Sequence, residues 1–301
     1  SFTLRQASLS ALLSVAFAVP VARALSRRRF RGRRVLLSLL GAPFILPSIV
    51  AILGVMAVWG RSGWVSDALA AIGLPRLDIY GMPGVLLAHV LLNLPLAARM
   101  LLQEFAAVPA ERWRLAAQLG VGGWALFRLL EWPAIRRAAP GAAALVFAVC
   151  VTSFAIALTL GGGPAATTLE LAIFEAALFE FDLGRAARLA ALQFAVCTIA
   201  ALLALWLAPR AAAGFGIALT VERWDGRGAA ARAADAAAIL LILLFLGLPL
   251  GAVALRGITA LPAMPMEVWT AAGRSLLVAL LSTALTLAIA LPLAGLAKGG
   301  G

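Results

Sequence analysis

Long apolar runs alternate with short polar breaks along this chain, and the runs are too long for the core helices of a soluble domain. Seven lie near 8–25, 35–59, 83–103, 138–160, 186–207, 236–256 and 275–297. Each is close to the length, about 20 residues, that a helix needs to cross a bilayer core. The pattern predicts an all-α integral membrane protein of about seven transmembrane helices. Pro20, Pro43, Pro47, Pro95 and Pro249 fall inside runs. They are tolerable there where neighbouring helices or water satisfy the freed carbonyls.

The longest polar interlude, 104–137, has helical order of its own. Pro109 suits the first turn of a helix and Gly120 its stop. Between them Trp113, Ala116 and Ala117 recur at helical spacing and leave one apolar edge on a charged surface. A second short helix is expected over 124–132, closed by Pro133.

Composition narrows the class. The chain is 63% hydrophobic and 13% charged, with a mean hydropathy of +1.02, values no soluble domain of this length tolerates. Its net charge of +12 is not a nucleic-acid footprint, because the basic residues sit mostly in breaks between runs. Six arginines fall in 26–34, five in 104–137 and four in 209–235. The alternate breaks hold Arg61 and Arg76, then Arg185, then Arg256 and Arg274. The positive-inside rule therefore puts the arginine-rich breaks in the cytoplasm, the N-terminus outside and Lys298 inside. Cys150 and Cys197 lie inside apolar runs and read as small packing residues.

Within the interlude, Ala116, Gly120, Leu130 and Pro133 keep the spacing A-x-x-x-G-x9-I-x-x-P. This resembles the EAA loop of ABC-importer permeases, where a membrane subunit meets a separate ATPase. The namesake acid is Arg114 here and the first alanine is Leu115, while Glu111 lies one helical turn earlier. The resemblance implies a coupling surface that includes Glu111, Arg114, Ala116, Gly120, Leu130 and Pro133. Ala116 is expected to let the helix approach its partner closely.

Further residues carry a narrower resemblance. They are Gly60-Arg61 with Gly63-Trp64, His89-Val90, Asn93-Leu94-Pro95, and the run LGGGPAATTLELAIF over 160–174. Together they resemble the permease family of bacterial thiamine ABC transporters, fused two-half importers that depend on a binding protein. The similarity runs from about 8 to 207 and resumes thinly to the end. The family implies a type I (MetI-like) helical bundle in the bacterial inner membrane. It further implies import of thiamine and its phosphates, a periplasmic thiamine-binding protein, and two copies of a separate ATPase that carries the ATP. The chain itself is expected to bind no cofactor. Fused ferric-iron permeases share the architecture and are the alternative.

The expected organisation is a first permease half over 1–208, lacking an upstream segment, a cytoplasmic linker over 209–235, and the start of a truncated second half over 236–301. Ala11-Leu12-Leu13-Ser14 recurs as Ala279-Leu280-Leu281-Ser282, in keeping with a tandem repeat.

Polar residues within runs mark either a translocation path or hydrogen bonds between helices. His89 and Asn93 share a helix face; Thr152, Ser153 and Gln193 are the other candidates. Gly161, Gly162, Gly163 and Pro164 form either a plain outer turn or part of a binding-protein docking surface. Glu170, Glu175, Glu180 and Asp182 are either a solvated face or part of that surface. No HExxH, membrane aspartate pair or Ser-Lys set favours an intramembrane enzyme. Span centres nearly free of carboxylates argue against an ion-coupled secondary transporter.

Overall fold

A computed structural model of the chain describes residues 2–41, 46–163, 166–207 and 223–299, which are helical almost throughout and contain no strand. In chain order the helices are α1 (Phe2–Arg27), α2 (Arg33–Leu39), α3 (Ser48–Trp59), α4 (Trp64–Ala71) and α5 (Met82–Ala107). Then come α6 (Ala110–Gln118), α7 (Gly123–Leu126), α8 (Trp132–Val151) and α9 (Phe154–Leu160). The last four are α10 (Leu169–Leu178), α11 (Leu183–Leu207), α12 (Ala229–Ala260) and α13 (Met266–Gly299). Among the described residues, seven helical stretches are long and apolar enough to cross a membrane. The number matches the sequence pattern, although several boundaries move.

The chain divides into two compact units, Ser1–Val253 and Ala254–Gly301. In the first, α1 packs along α5 and α8, α11 lies along α8, and α10 lies along α11. The contacts are made by small side chains. α1 buries Thr3, Ala7, Ser10, Ser14, Ala18, Val21 and Leu25, a stripe that advances by three or four residues. α5 contributes Gly84, Ala88, Ala97 and Ala98, and α8 contributes Ala134, Ala138, Gly141 and Ala142. Lipid tails are as apolar as leucine, so close backbone approach, more than apolar burial, holds such helices together. α12 passes close to Gly54 of α3, where an added Cβ would lie 2.9 Å from both the Cβ and the carbonyl oxygen of Pro249.

Two predicted spans are corrected. The run 35–59 is not one helix: α2 ends at Leu39, and α3 starts afresh after Pro47 at its N-cap. Pro47 has no N–H to continue an earlier helix but fits the start of a new one. The membrane-length stretch is instead Ser48–Ala71. Pro43 lies outside the described residues. The run 138–160 is broken at Thr152 and Ser153, whose backbone angles (φ −100°, ψ 33° and φ −103°, ψ 62°) leave the helical basin. Side chains satisfy the carbonyls this frees. The Cys150 carbonyl accepts from Gln6 Nε2 (2.9 Å) and Ser153 Oγ (2.8 Å), and Thr152 Oγ1 donates to the Val149 carbonyl (3.1 Å).

Pro133 does not close a helix either. The chain passes from α7 through a wide π-turn, Phe127–Glu131, directly into α8, where Pro133 occupies the first turn. Its missing N–H is harmless at that position. Of the expected linker, 209–222 lies outside the described residues. The remainder holds a 3₁₀ turn, Trp224–Gly226, and the beginning of α12.

The second unit is the end of α12, a turn at Leu261–Ala263 and α13. Thr283 and Thr286 return their hydroxyls to the carbonyls of Ala279 and Ser282, both at 2.7 Å, so each is satisfied within its own helix.

Candidate functional site

α6 is bracketed as its sequence requires. Pro109 is the N-cap, and Gly120 takes φ +64° just past the end. There the Gly120 N–H donates to the Ala117 carbonyl (3.1 Å) and the Val121 N–H to the Ala116 carbonyl (2.9 Å). This paired closure is a Schellman motif, which favours glycine at the left-handed position. The helix has two faces. Trp113 and Ala116 are buried in the chain's own core, whereas Glu111, Arg114, Leu115 and Leu119 are exposed. Ala116 thus gives close approach to the bundle beneath α6 and does not face outward as expected. Leu130 and Pro133 are half-buried, with Leu130 packed on the core. Exposed Trp124 stacks on Phe127 with centroids 5.0 Å apart. Arg137 joins Glu104 at 3.0 Å, tying the end of α5 to α8.

Beneath α6 lies a buried charge cluster. Glu131, in the π-turn, is fully buried and pairs with Arg23 of α1 (2.6 Å) and with Arg223. Arg223 also binds Asp225 (2.7 Å), and its guanidinium carbon lies 4.3 Å from the centre of the Trp113 ring. Arg27 lies between Asp225 (3.2 Å) and Asp235 (3.4 Å), while Arg28 holds Asp235 and the Gly226 carbonyl, each at 2.7 Å. Burial pushes the Asp225 carboxyl upward, but Arg223 and Arg27 outweigh it and hold the group below its usual range. Burial likewise opposes the charge on Arg223, yet Asp225 and Glu131 carry it above its ordinary value. The cluster joins the end of α1, the π-turn and the segment 223–235.

The sequence pattern does not reveal Glu131, Arg223, Asp225 and Asp235 as a group, because arginines in breaks read as topology signals alone. One signal was present: Glu131 is the sole acid between Glu111 and Glu170. A lone carboxylate among apolar and basic neighbours needs a cation if it is buried.

A second polar group lies deeper in the bundle. His89 is 1% exposed; its Nδ1 is 2.9 Å from Ser10 Oγ and its Nε2 is 2.7 Å from Ser153 Oγ. Asn93, also buried, donates to the His89 carbonyl (2.9 Å) and contacts Cys150 Sγ at 3.5 Å. The structure thus brings His89, Asn93 and Ser153 together as links between α1, α5 and the α8–α9 break. Thr152 and Gln193 line a separate cavity of about 600 Å³ beside α10.

At that end of the bundle Gly162 and Gly163 have φ of +77° and +110°. The Gly81 N–H donates to the Leu160 carbonyl at 2.7 Å, and a Cβ on Gly162 would sit 3.0 Å from the Gly81 nitrogen. Gly161 continues α9, its N–H bonded to the Ala157 carbonyl. Pro164 lies outside the described residues.

No family model matches the chain. Curated relatives do. It is 46% identical over 262 residues to the thiamine transport system permease protein ThiP of Brucella abortus (strain 2308), covering 86% of this chain and 48% of that protein. The protein of the same name from Salmonella typhimurium is 45% identical over 294 residues, covering 95% of this chain and 55% of the relative. The chain therefore spans about half the length of these relatives. Among solved structures, a bacterial alginate ABC transporter in complex with an alginate pentasaccharide-bound periplasmic protein superposes with a TM-score of 0.55 at 16% identity. The match covers 68% of this chain and 74% of that one. The fold is that of ABC-importer permeases.

Proposed function

From its homology to thiamine-transport permeases, we propose that this chain forms most of one permease half, and the start of another, in an ATP-driven importer for thiamine and its phosphates. It supplies the translocation path and no catalytic residue. ATP is bound and hydrolysed by a separate ATPase, present in two copies, and substrate arrives on a periplasmic thiamine-binding protein. The arginine-rich end, with α6, faces the cytoplasm of the inner membrane, and the 161–182 end faces the periplasm.

The observation that carries this reading is α6. A short helix is held rigidly from below by Trp113 and Ala116 and closed by Gly120, while its outer face offers Glu111, Arg114, Leu115 and Leu119. A rigid, half-apolar surface element suits transmission of a partner's movement into the bundle.

Uptake tests the substrate. Cells lacking their own thiamine permease should regain thiamine uptake when given the full-length protein with its ATPase and binding protein. Rescue of iron uptake without thiamine would favour the ferric-iron alternative. Cysteine labelling tests the orientation: positions in 26–34 should resist an impermeant reagent in intact cells, and positions in 166–182 should react.

A further inference from the structure

The cavity beside α10 has a one-sided chemistry. Its walls include Phe154, Phe174 and Phe194, and its polar groups are Thr152, Glu170 and Gln193. Gln193 Nε2 donates to Glu170 Oε1 at 3.1 Å, which uses one of the amide's two N–H groups. Glu170 Oε2 and Gln193 Oε1 are both buried and lack a hydrogen-bond partner. Thr152 Oγ1 gives its hydrogen to a backbone carbonyl and has only lone pairs left to offer. Apart from the weak Cys197 thiol and the second N–H of Gln193, the polar lining side chains present acceptors.

Two buried acceptors without donors are costly, and a native protein keeps them where something supplies the donors. The carboxylate disfavours an anionic group at this wall. A flat cation bearing N–H groups is favoured twice, by the acceptors and by the faces of the aromatic rings. Phe154 and Phe174 already stand 5.0 Å apart, tilted by 52°, and Phe194, 74% exposed, lines the same cavity. Burial pushes the Glu170 carboxyl upward against the opposing hydrogen bonds from Gln193 and the Phe154 N–H, so an occupying cation would also relieve an unfavourable charge. The volume is within the range of small-molecule sites, about 300–1,000 Å³.

We infer that this cavity is a substrate site for a flat organic cation, with Glu170 and Gln193 receiving the ligand's charge and N–H groups and Phe174 and Phe194 its ring faces. Thiamine, a cationic ring joined to an aminopyrimidine, has this chemistry; its choice as ligand rests on the proposed function above.

The test uses the full-length protein with its ATPase and binding protein in proteoliposomes, with radiolabelled thiamine as probe. Glu170→Gln and Phe194→Ala should each raise the KM for thiamine about tenfold, with kcat, basal ATPase activity and co-elution of the binding protein retained. Phe194 is exposed, so its truncation carries little folding risk. Leu178→Ala, at an exposed position on the same helix, should change nothing. Unchanged KM in both cavity variants would overturn the site, as would a rise in KM accompanied by loss of binding-protein co-elution. Absence of thiamine transport by the unmodified protein would instead overturn the proposed function. Equilibrium dialysis of thiamine against the purified permease then decides the site separately: binding abolished by Glu170→Gln sustains it, and no binding ends it.

Discussion

Arg223 and Glu131, 92 residues apart in the chain, form an ion pair in which both side chains are almost wholly buried. It joins the segment leading into α12 to the π-turn that feeds α8. Removing one member of such a pair leaves an uncompensated charge, which typically costs about 3–5 kcal/mol, whereas replacing both with apolar groups is often nearly neutral. Glu131→Met is therefore expected to lower the melting temperature of the purified protein sharply, and Glu131→Met with Arg223→Met to recover part of the loss. Additive losses in this double-mutant cycle would show that the two do not interact.

Acid should loosen the same cluster. The folded-state pKa of Asp225 lies below its unfolded value, because Arg223 and Arg27 outweigh the effect of burial. Its contribution is present at pH values above the unfolded pKa and is lost as pH falls through the folded one. Melting temperature should thus fall on acidification below the ordinary carboxylate range. Asp225→Asn should start lower at neutral pH and fall less. Parallel pH curves for the two proteins would count against this assignment.

Glycine at 120 is required by conformation and not by space. Its φ is +64°, and nothing lies within 4 Å of an added Cβ. Gly120→Val should cost about 1–2 kcal/mol locally from the left-handed backbone and disturb α6 while leaving membrane insertion intact. If α6 is the coupling element, ATPase co-purification and transport should drop relative to expression. Ala116→Trp should have the same outcome by another route, lifting α6 and its Trp113 off the core. Retention of the ATPase and of transport by both variants would reduce 104–137 to a connector.

Gly54 presents the opposite case, since there the space is filled. A Cβ would meet Pro249 at 2.9 Å on both its side chain and its carbonyl, closer than real contacts allow. Gly54→Leu should separate α3 from α12, costing about 1–3 kcal/mol from overpacking. Protease accessibility at 223–235 should increase while α1, α5 and α8 stay protected. Unchanged digestion would mean that α12 does not depend on this contact.

Sequence pattern went furthest where local rules dominate. Apolar run length recovered seven membrane stretches, and Pro109 and Gly120 located α6 to within a residue. The resemblance to thiamine permeases was likewise legible, because the run over 160–174 is long and specific, and relatives 44–46% identical bear that name. The break at Thr152–Ser153 was not legible. Neither residue is a helix breaker, and the break is stabilised by Gln6, 144 positions away from Cys150. The charge cluster was hidden for the same reason. An arginine that marks orientation and one that neutralises a buried acid look alike until their neighbours are known.

The π-turn at Phe127–Glu131 also sets a phase. An α-helix advances about 100° per residue, and a π-turn accommodates one more residue than an α-turn before the helix resumes. That extra residue points Glu131 at the arginines of α1 and delivers Pro133 to a first turn, where its ring is harmless. Deleting any one residue from this turn would leave composition and hydropathy almost untouched. It would nonetheless convert the wide turn into an ordinary α-turn and change the directions of the side chains within it. In this stretch the count of residues is itself the information.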